Sequence, residues 1–177
     1  MRRLIFIFVL IIAITSGCDK ISKLTQFNLE YDETVEVPAT LGVNIPFSVQ
    51  TPDIETNSES SFSVNDTRKE NIEKIILTEM NLSVGSPADG TFSFLKSIKV
   101  YISADNLDEI EIAWKNNVPE NIGDSLSLET TDADLKEYIK KESFNLKVTT
   151  VTDEIIATNY SIDIHSVFFV DAKILGF

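Results

Sequence analysis

Alternation of apolar and polar side chains is the feature that most constrains this chain. Tyr160, Ile162, Ile164, Phe168, Val170, Ala172 and Ile174 fall on even positions, while Ser161, Asp163, His165, Asp171 and Lys173 take odd ones, a row interrupted by Val167 and Phe169. A period of two means a strand with one face buried and the other wet, the condition of an antiparallel sheet. A strand this long is expected to bend or bulge near His165-Ser166. Phe27, Leu29, Tyr31, Val35 and Val37 repeat the pattern against Asn28, Glu30, Asp32, Thr34 and Glu36. Pro38 ends that strand, because proline donates nothing to a ladder. Val43, Ile45, Phe47 and Val49 alternate around Pro46, which predicts an edge strand.

The middle of the chain carries the densest pattern. Phe92, Phe94, Ile98, Val100, Ile102 and Ala104 alternate, residues 105–108 make a turn, and Ile110, Ile112 and Trp114 follow at period two. This predicts a hairpin, with Trp114 on the buried face beside the two isoleucines. Ile76, Met80, Leu82 and Val84 line another strand face, and Leu126 with Leu128, then Phe144, Leu146 and Val148, mark two more. Residues 51–61 are rich in Ser, Thr, Asn and acids and read as a surface loop. Thr67-Arg68-Lys69-Glu70 matches a capping box and predicts one or two helical turns to about Lys74. A second helix of about ten residues is expected after Thr131 or Asp132, with Leu135, Tyr138 and Ile139 as its buried stripe and Lys140-Lys141 at its end. Short strands separated by turn residues, with only one or two short helices, predict an all-β antiparallel β-sandwich of immunoglobulin-like type over residues 27–177. A closed barrel is the alternative.

The leader has a different character. Arg2 and Arg3 precede an eleven-residue apolar run from Leu4 to Ile14, followed by Thr15-Ser16-Gly17-Cys18. At roughly 1.5 Å per residue that run is far shorter than the roughly 30 Å hydrocarbon core. The segment resembles a bacterial lipoprotein signal peptide, whose box reads aliphatic, small, Gly or Ala, then Cys; Thr15 stands at the aliphatic position, with Ile14 just before it. The resemblance implies removal of residues 1–17, lipidation of Cys18 with palmitate-type chains, and a tether over residues 18–26. It also implies location in the bacterial cell envelope. Loss of residues 1–17 removes Arg2 and Arg3 and no acid, taking the formal charge from −13 to −15. Such a body is unsuited to nucleic acid, whose phosphates demand a basic face, and to electrostatic docking on anionic lipid. Membrane attachment is therefore expected through the lipid on Cys18.

Little chemistry is legible beyond that. His165 is the single histidine and Cys18 the single cysteine, so a nucleophilic triad or zinc centre lacks its usual partners. His165 reads as a surface residue beside Asp163. Asp105, Asp108 and Glu109 offer oxygens to calcium but lack the spacing and central glycine of a calcium loop, and so read first as a polar hairpin turn. Asp132 and Asp134 read likewise as a helix start. No cofactor is expected. The function expected is a non-enzymatic binding or assembly module in the cell envelope, its partner an envelope protein or a glycan. A glycan-binding or glycan-hydrolysing protein, or a carrier of a hydrophobic ligand, is the alternative.

Overall fold

The structure is a computed structural model that describes residues 25–39, 44 and 46–173. The expected signal segment, Cys18 and the expected tether as far as residue 24 lie outside the described residues, as do Val43, Ile45 and Ile174. Among the described residues ten strands form: β1 (Gln26–Val37), β2 (Pro46–Gln50), β3 (Ile54–Glu55), β4 (Ile72–Ser86), β5 (Leu95–Ser103), β6 (Ile110–Asn116), β7 (Ser125–Ser127), β8 (Glu129–Thr130), β9 (Ser143–Thr152) and β10 (Tyr160–Ala172). One sheet runs β1-β10-β4-β7 and the other β2-β9-β5-β6-β8, with β3 paired to β9. All pairings are antiparallel. The expected all-β antiparallel sandwich with two short helices is the architecture observed.

The core lies between the sheets. Ile162, Ile164, Phe168 and Val170 of β10 meet Phe144, Leu146 and Val148 of β9 and Ile98, Val100 and Ile102 of β5, all buried. Tyr31 contacts both Phe144 and Phe168 edge-on, at ring-centroid distances of 5.2 and 5.6 Å, a favoured aromatic geometry. Its hydroxyl donates to the Thr56 carbonyl at 2.9 Å, which gives the polar end of a mostly buried ring its partner. Burial pushes the phenol well above its ordinary range. Glu33 sits on the same odd-numbered register as Leu29, Tyr31 and Val35, opposite Ile164. Burial and then neighbouring Asp32 push its carboxyl up. An inward-pointing acid on a long edge strand discourages pairing with a second chain.

Bulges set the phase of the faces, and this is where alternation alone misleads. The β4 strand carries an extra residue relative to β10 at Glu73, Thr78 and Gly85. Around Thr78 the phase flips: Ile75 and Leu77 point inward before it, Met80 and Leu82 after it. Ile76, expected on the buried face, therefore lies opposite Phe169 on the outer one. The bend foreseen in β10 near His165-Ser166 is supplied instead by its neighbour, at Thr78 between the pairs to Val167 and Phe168.

Both helical expectations need correction. Residues 51–61 are not simply a loop, because helix α1 (Ser58–Val64) follows β3 and drives Phe62 into full burial. Thr56 Oγ1 donates to the Lys141 carbonyl at 2.6 Å and accepts from the Ser58 amide at 3.3 Å, fixing the entry of α1. The capping box does not form. Residues Lys69–Asn71 make one 3-10 turn whose first flank is Arg68, no side chain caps it, and Thr67 Oγ1 is buried without a partner. The strand β4 then starts at Ile72, so no helix reaches Lys74. The helix expected after Asp132 shrinks to α2 (Lys136–Ile139). The acid that serves it is Asp134, whose Oδ1 accepts from the Ile75 amide at 3.2 Å and the Lys136 amide at 3.1 Å. The preceding segment is held to β4 by the Leu135 amide on the Ile75 carbonyl at 2.7 Å, which competes with continuing the helix backwards.

Candidate functional site

The outer face of the larger sheet carries the most chemically distinctive surface. Its origin is a bulge in β6. Val100 pairs with Ala113 but Tyr101 pairs with Glu111, so Ile112 is an extra residue. Ile112 and Ala113 are both wholly buried, and the phase reverses beyond them. Trp114 is consequently turned outward and lies directly opposite Lys99, an exposed residue between buried Ile98 and Val100. The expectation that Trp114 packs in the core with Ile110 and Ile112 is overturned; it is half-buried on the solvent side.

Register extends this row across the sheet. Thr149 of β9 lies opposite Lys99, and Ser48 of β2 opposite Thr149, their hydroxyls 2.8 Å apart. On the other flank Glu129 of β8 lies opposite Trp114. The adjacent row holds Gln50, Lys147, Tyr101 and Glu111. The Lys147 ammonium stands 5.1 Å from the Tyr101 ring centre, a cation–π contact. Tyr101 was readable from sequence, because Lys99, Tyr101 and Ser103 alternate with buried Val100 and Ile102. Trp114 was not, since nothing in Ile110 to Trp114 announces the extra residue.

Charges on this face and at its edge are paired, Lys115 reaching Glu129 from the register position opposite buried Ile98. Lys99 Nζ lies 2.7 Å from Glu111 Oε2, Lys115 Nζ lies 3.4 Å from Glu129 Oε1, and Lys147 is paired with Glu109. The Glu111 carboxylate, first by hydrogen bond and then by its charge, raises the Lys99 ammonium further above its ordinary value. Three lysines against three glutamates leave a locally neutral surface on a chain of net charge −13.

The calcium candidates are not brought together. Asp105 accepts from the Asn106 side chain at 2.8 Å, Asp108 presents its backbone carbonyl to the Tyr138 hydroxyl at 2.7 Å, and Glu109 is engaged by Lys147. Among the described residues no three His, Cys, Asp or Glu side chains are grouped to hold a metal ion.

His165 lies where expected, on the outer face of the smaller sheet, but its partner is Asp32 of β1 rather than Asp163. Asp163 instead accepts from Thr34 Oγ1 at 2.7 Å. The row continues through Asn81 to Ser127, whose hydroxyl donates to Asn81 Oδ1 at 2.6 Å. Grooves at the end bearing α1 are lined by polar and charged residues, among them Glu59, Thr67, Arg68 and Lys69.

No protein-family model matches the chain, and no curated protein matches it. Solved structures similar to it include the cyanophage Pam1 capsid asymmetric unit, at 6% identity and TM-score 0.41 over 82% of this chain and 86% of that one. Peptide N-glycanase F is similar at 15% identity and TM-score 0.41, over 84% of this chain but only 42% of the glycanase. The desmodium yellow mottle tymovirus structure is similar at 10% identity and TM-score 0.30, covering 86% and 90%.

Proposed function

We propose that this chain is a lipid-anchored lipoprotein of the bacterial cell envelope whose sandwich serves as a non-enzymatic binding module, with the outer face of the larger sheet as its recognition surface. The observation that carries this is Trp114, turned to solvent by the Ile112 bulge and set within a field of mutually neutralised charges. A large aromatic held out of the core and half-buried, with its place inside taken by Ala113, leaves part of its ring available to a ligand. Attachment rests on the resemblance of Thr15-Ser16-Gly17-Cys18 to a lipoprotein box. Residues 19–25, fully extended, reach at most about 25 Å before β1 begins at Gln26. The carrier alternative is less well supported, since Phe144, Phe168, Val100 and Ile112 fill the space between the sheets where a hydrophobic ligand would sit.

Metabolic labelling with an alkyne palmitate analogue, with membrane fractionation, tests the anchor. The wild-type chain is expected to take up label and sediment with membranes, and Cys18→Ser to lose the label and either leave the membrane or remain unprocessed. An unlabelled wild type, or an unchanged membrane fraction for the variant, counts against the proposal.

A further inference from the structure

We infer that the Trp114 face binds an uncharged polysaccharide, the indole stacking on the C–H face of a sugar ring; this rests on the binding-module reading above and names its ligand class. Three observations converge on that chemistry. The first is shape. Trp114, Lys99, Thr149 and Ser48 lie in one registered row across four strands, with Tyr101 and Glu111 in the next. An open sheet face suits a chain polymer lying across it, whereas small isolated ligands favour enclosed clefts.

The second observation is charge. Lys99 with Glu111, Lys115 with Glu129 and Lys147 with Glu109 cancel one another. An anionic polymer needs unpaired lysines, which this cluster does not offer, and the acidic remainder of the protein opposes its approach. A neutral polyol meets neither obstacle. Its hydroxyls are both donors and acceptors, and the flanking ammonium, carboxylate and hydroxyl groups supply acceptors and donors in turn.

The third observation is composition around the ring. A stable protein interface buries roughly 800 Å² per partner with an apolar centre depleted of charge. Here the ring is bracketed on its own row by Lys99 and Glu129, and Tyr101 already holds the Lys147 ammonium against its ring. One aromatic platform inside a hydrogen-bonding frame matches a sugar ring, apolar on its faces and polar at its edges, better than a protein surface.

Trp114 is the single tryptophan, so intrinsic fluorescence reports from this face alone. The test titrates the protein in the form its host produces, purified in detergent micelles, with cello-, xylo-, manno- and chitohexaose and with a hexagalacturonate as the anionic comparison. A saturable change in Trp114 emission with at least one neutral hexasaccharide, and a weaker one with hexagalacturonate, is expected. By calorimetry, Trp114→Ala should lose at least about tenfold in affinity while Trp114→Tyr retains most of it, both melting cooperatively within about 4 °C of wild type. Absence of binding to every neutral hexasaccharide, equal binding by Trp114→Ala, or preference for hexagalacturonate overturns the assignment. A photo-crosslinker at position 114 that traps one defined envelope protein also overturns it, while leaving the binding-module proposal standing. Failure of palmitate labelling removes the anchor and leaves the sugar titration to be judged separately.

Discussion

The imidazole Nδ1 of His165 lies 2.6 Å from Asp32 Oδ1, joining adjacent strands β10 and β1 across the outer face of the smaller sheet. The Asp32 hydrogen bond raises the histidine pKa; partial burial opposes this, and the charges of Asp32, Glu30 and Glu79 add to it. A folded-state value above the unfolded one, about 6.5, means that the pair's contribution is fully present below that pH. It is lost as pH rises through the folded value. With the Asp32 side chain 80% exposed, the contribution stays below about 1 kcal/mol. NMR titration of the ring should show a pKa above the ordinary imidazole value, and Asp32→Asn should bring it down. Identical titration curves in the two proteins would show that the pair exerts no influence.

Asp134 makes the opposite prediction. Burial alone pushes its carboxyl up, but the Ile75 amide, the Lys136 side chain and the Lys136 amide together outweigh that and hold it below its usual range. Its stabilisation is present above the unfolded carboxylate value, about 3.9, and disappears as pH falls through the lower folded value. Asp134→Ala also strips a partner from the amide of fully buried Ile75. A loss of about 1–3 kcal/mol is expected, measured by urea denaturation at neutral pH, and the gap to wild type should narrow in strong acid. A gap that is constant with pH would contradict the assigned role.

Class and faces were legible wherever the strands are regular. In β1, β9 and the inner residues of β10, period two alone assigns the buried side chains. Bulges defeat it because an extra residue reverses the phase without leaving a compositional mark, at Thr78 for Ile76 and at Ile112 for Trp114. Local helix signals failed for a related reason. Thr67-Arg68-Lys69-Glu70 has the letters of a cap, but two residues after Glu70 β4 is already committed to its ladder with β10. The helix that forms, Ser-Glu-Ser-Ser-Phe-Ser-Val, sends a single large apolar residue inward and so shows no stripe. The outer face of the larger sheet was half readable: Lys99 and Tyr101 from alternation, Trp114 only from register.

That unannounced helix can be tested by a pair of substitutions. Phe62 is fully buried and meets Phe27 edge-on at 6.2 Å, whereas Val64 is 80% exposed. On a strand these two residues would share a face and respond alike. On α1 they diverge. Phe62→Ala should cost about 3–5 kcal/mol, and Val64→Ser should stay within about 0.5 kcal/mol, both by denaturant unfolding. Similar losses from the two would argue against α1.

The Ile112 bulge is open to a sharper test, because regular alternation and the observed register predict reversed outcomes at neighbouring positions. With unbroken alternation Ala113 faces solvent and Trp114 the core, so a charge at 113 is tolerated and truncation of Trp114 costs about 3–5 kcal/mol. In the structure Ala113 is 0% exposed and paired with Val100, itself 0% exposed. Ala113→Asp then buries an unpaired carboxylate and should cost at least about 3 kcal/mol. Trp114→Ala trims a half-buried side chain that lies opposite Lys99 and Glu129 outside the core cluster and should cost about 1 kcal/mol. Chemical denaturation of the two variants side by side decides the matter. A mild Ala113→Asp with a severe Trp114→Ala would return the tryptophan to the core and remove the basis of the proposed recognition face.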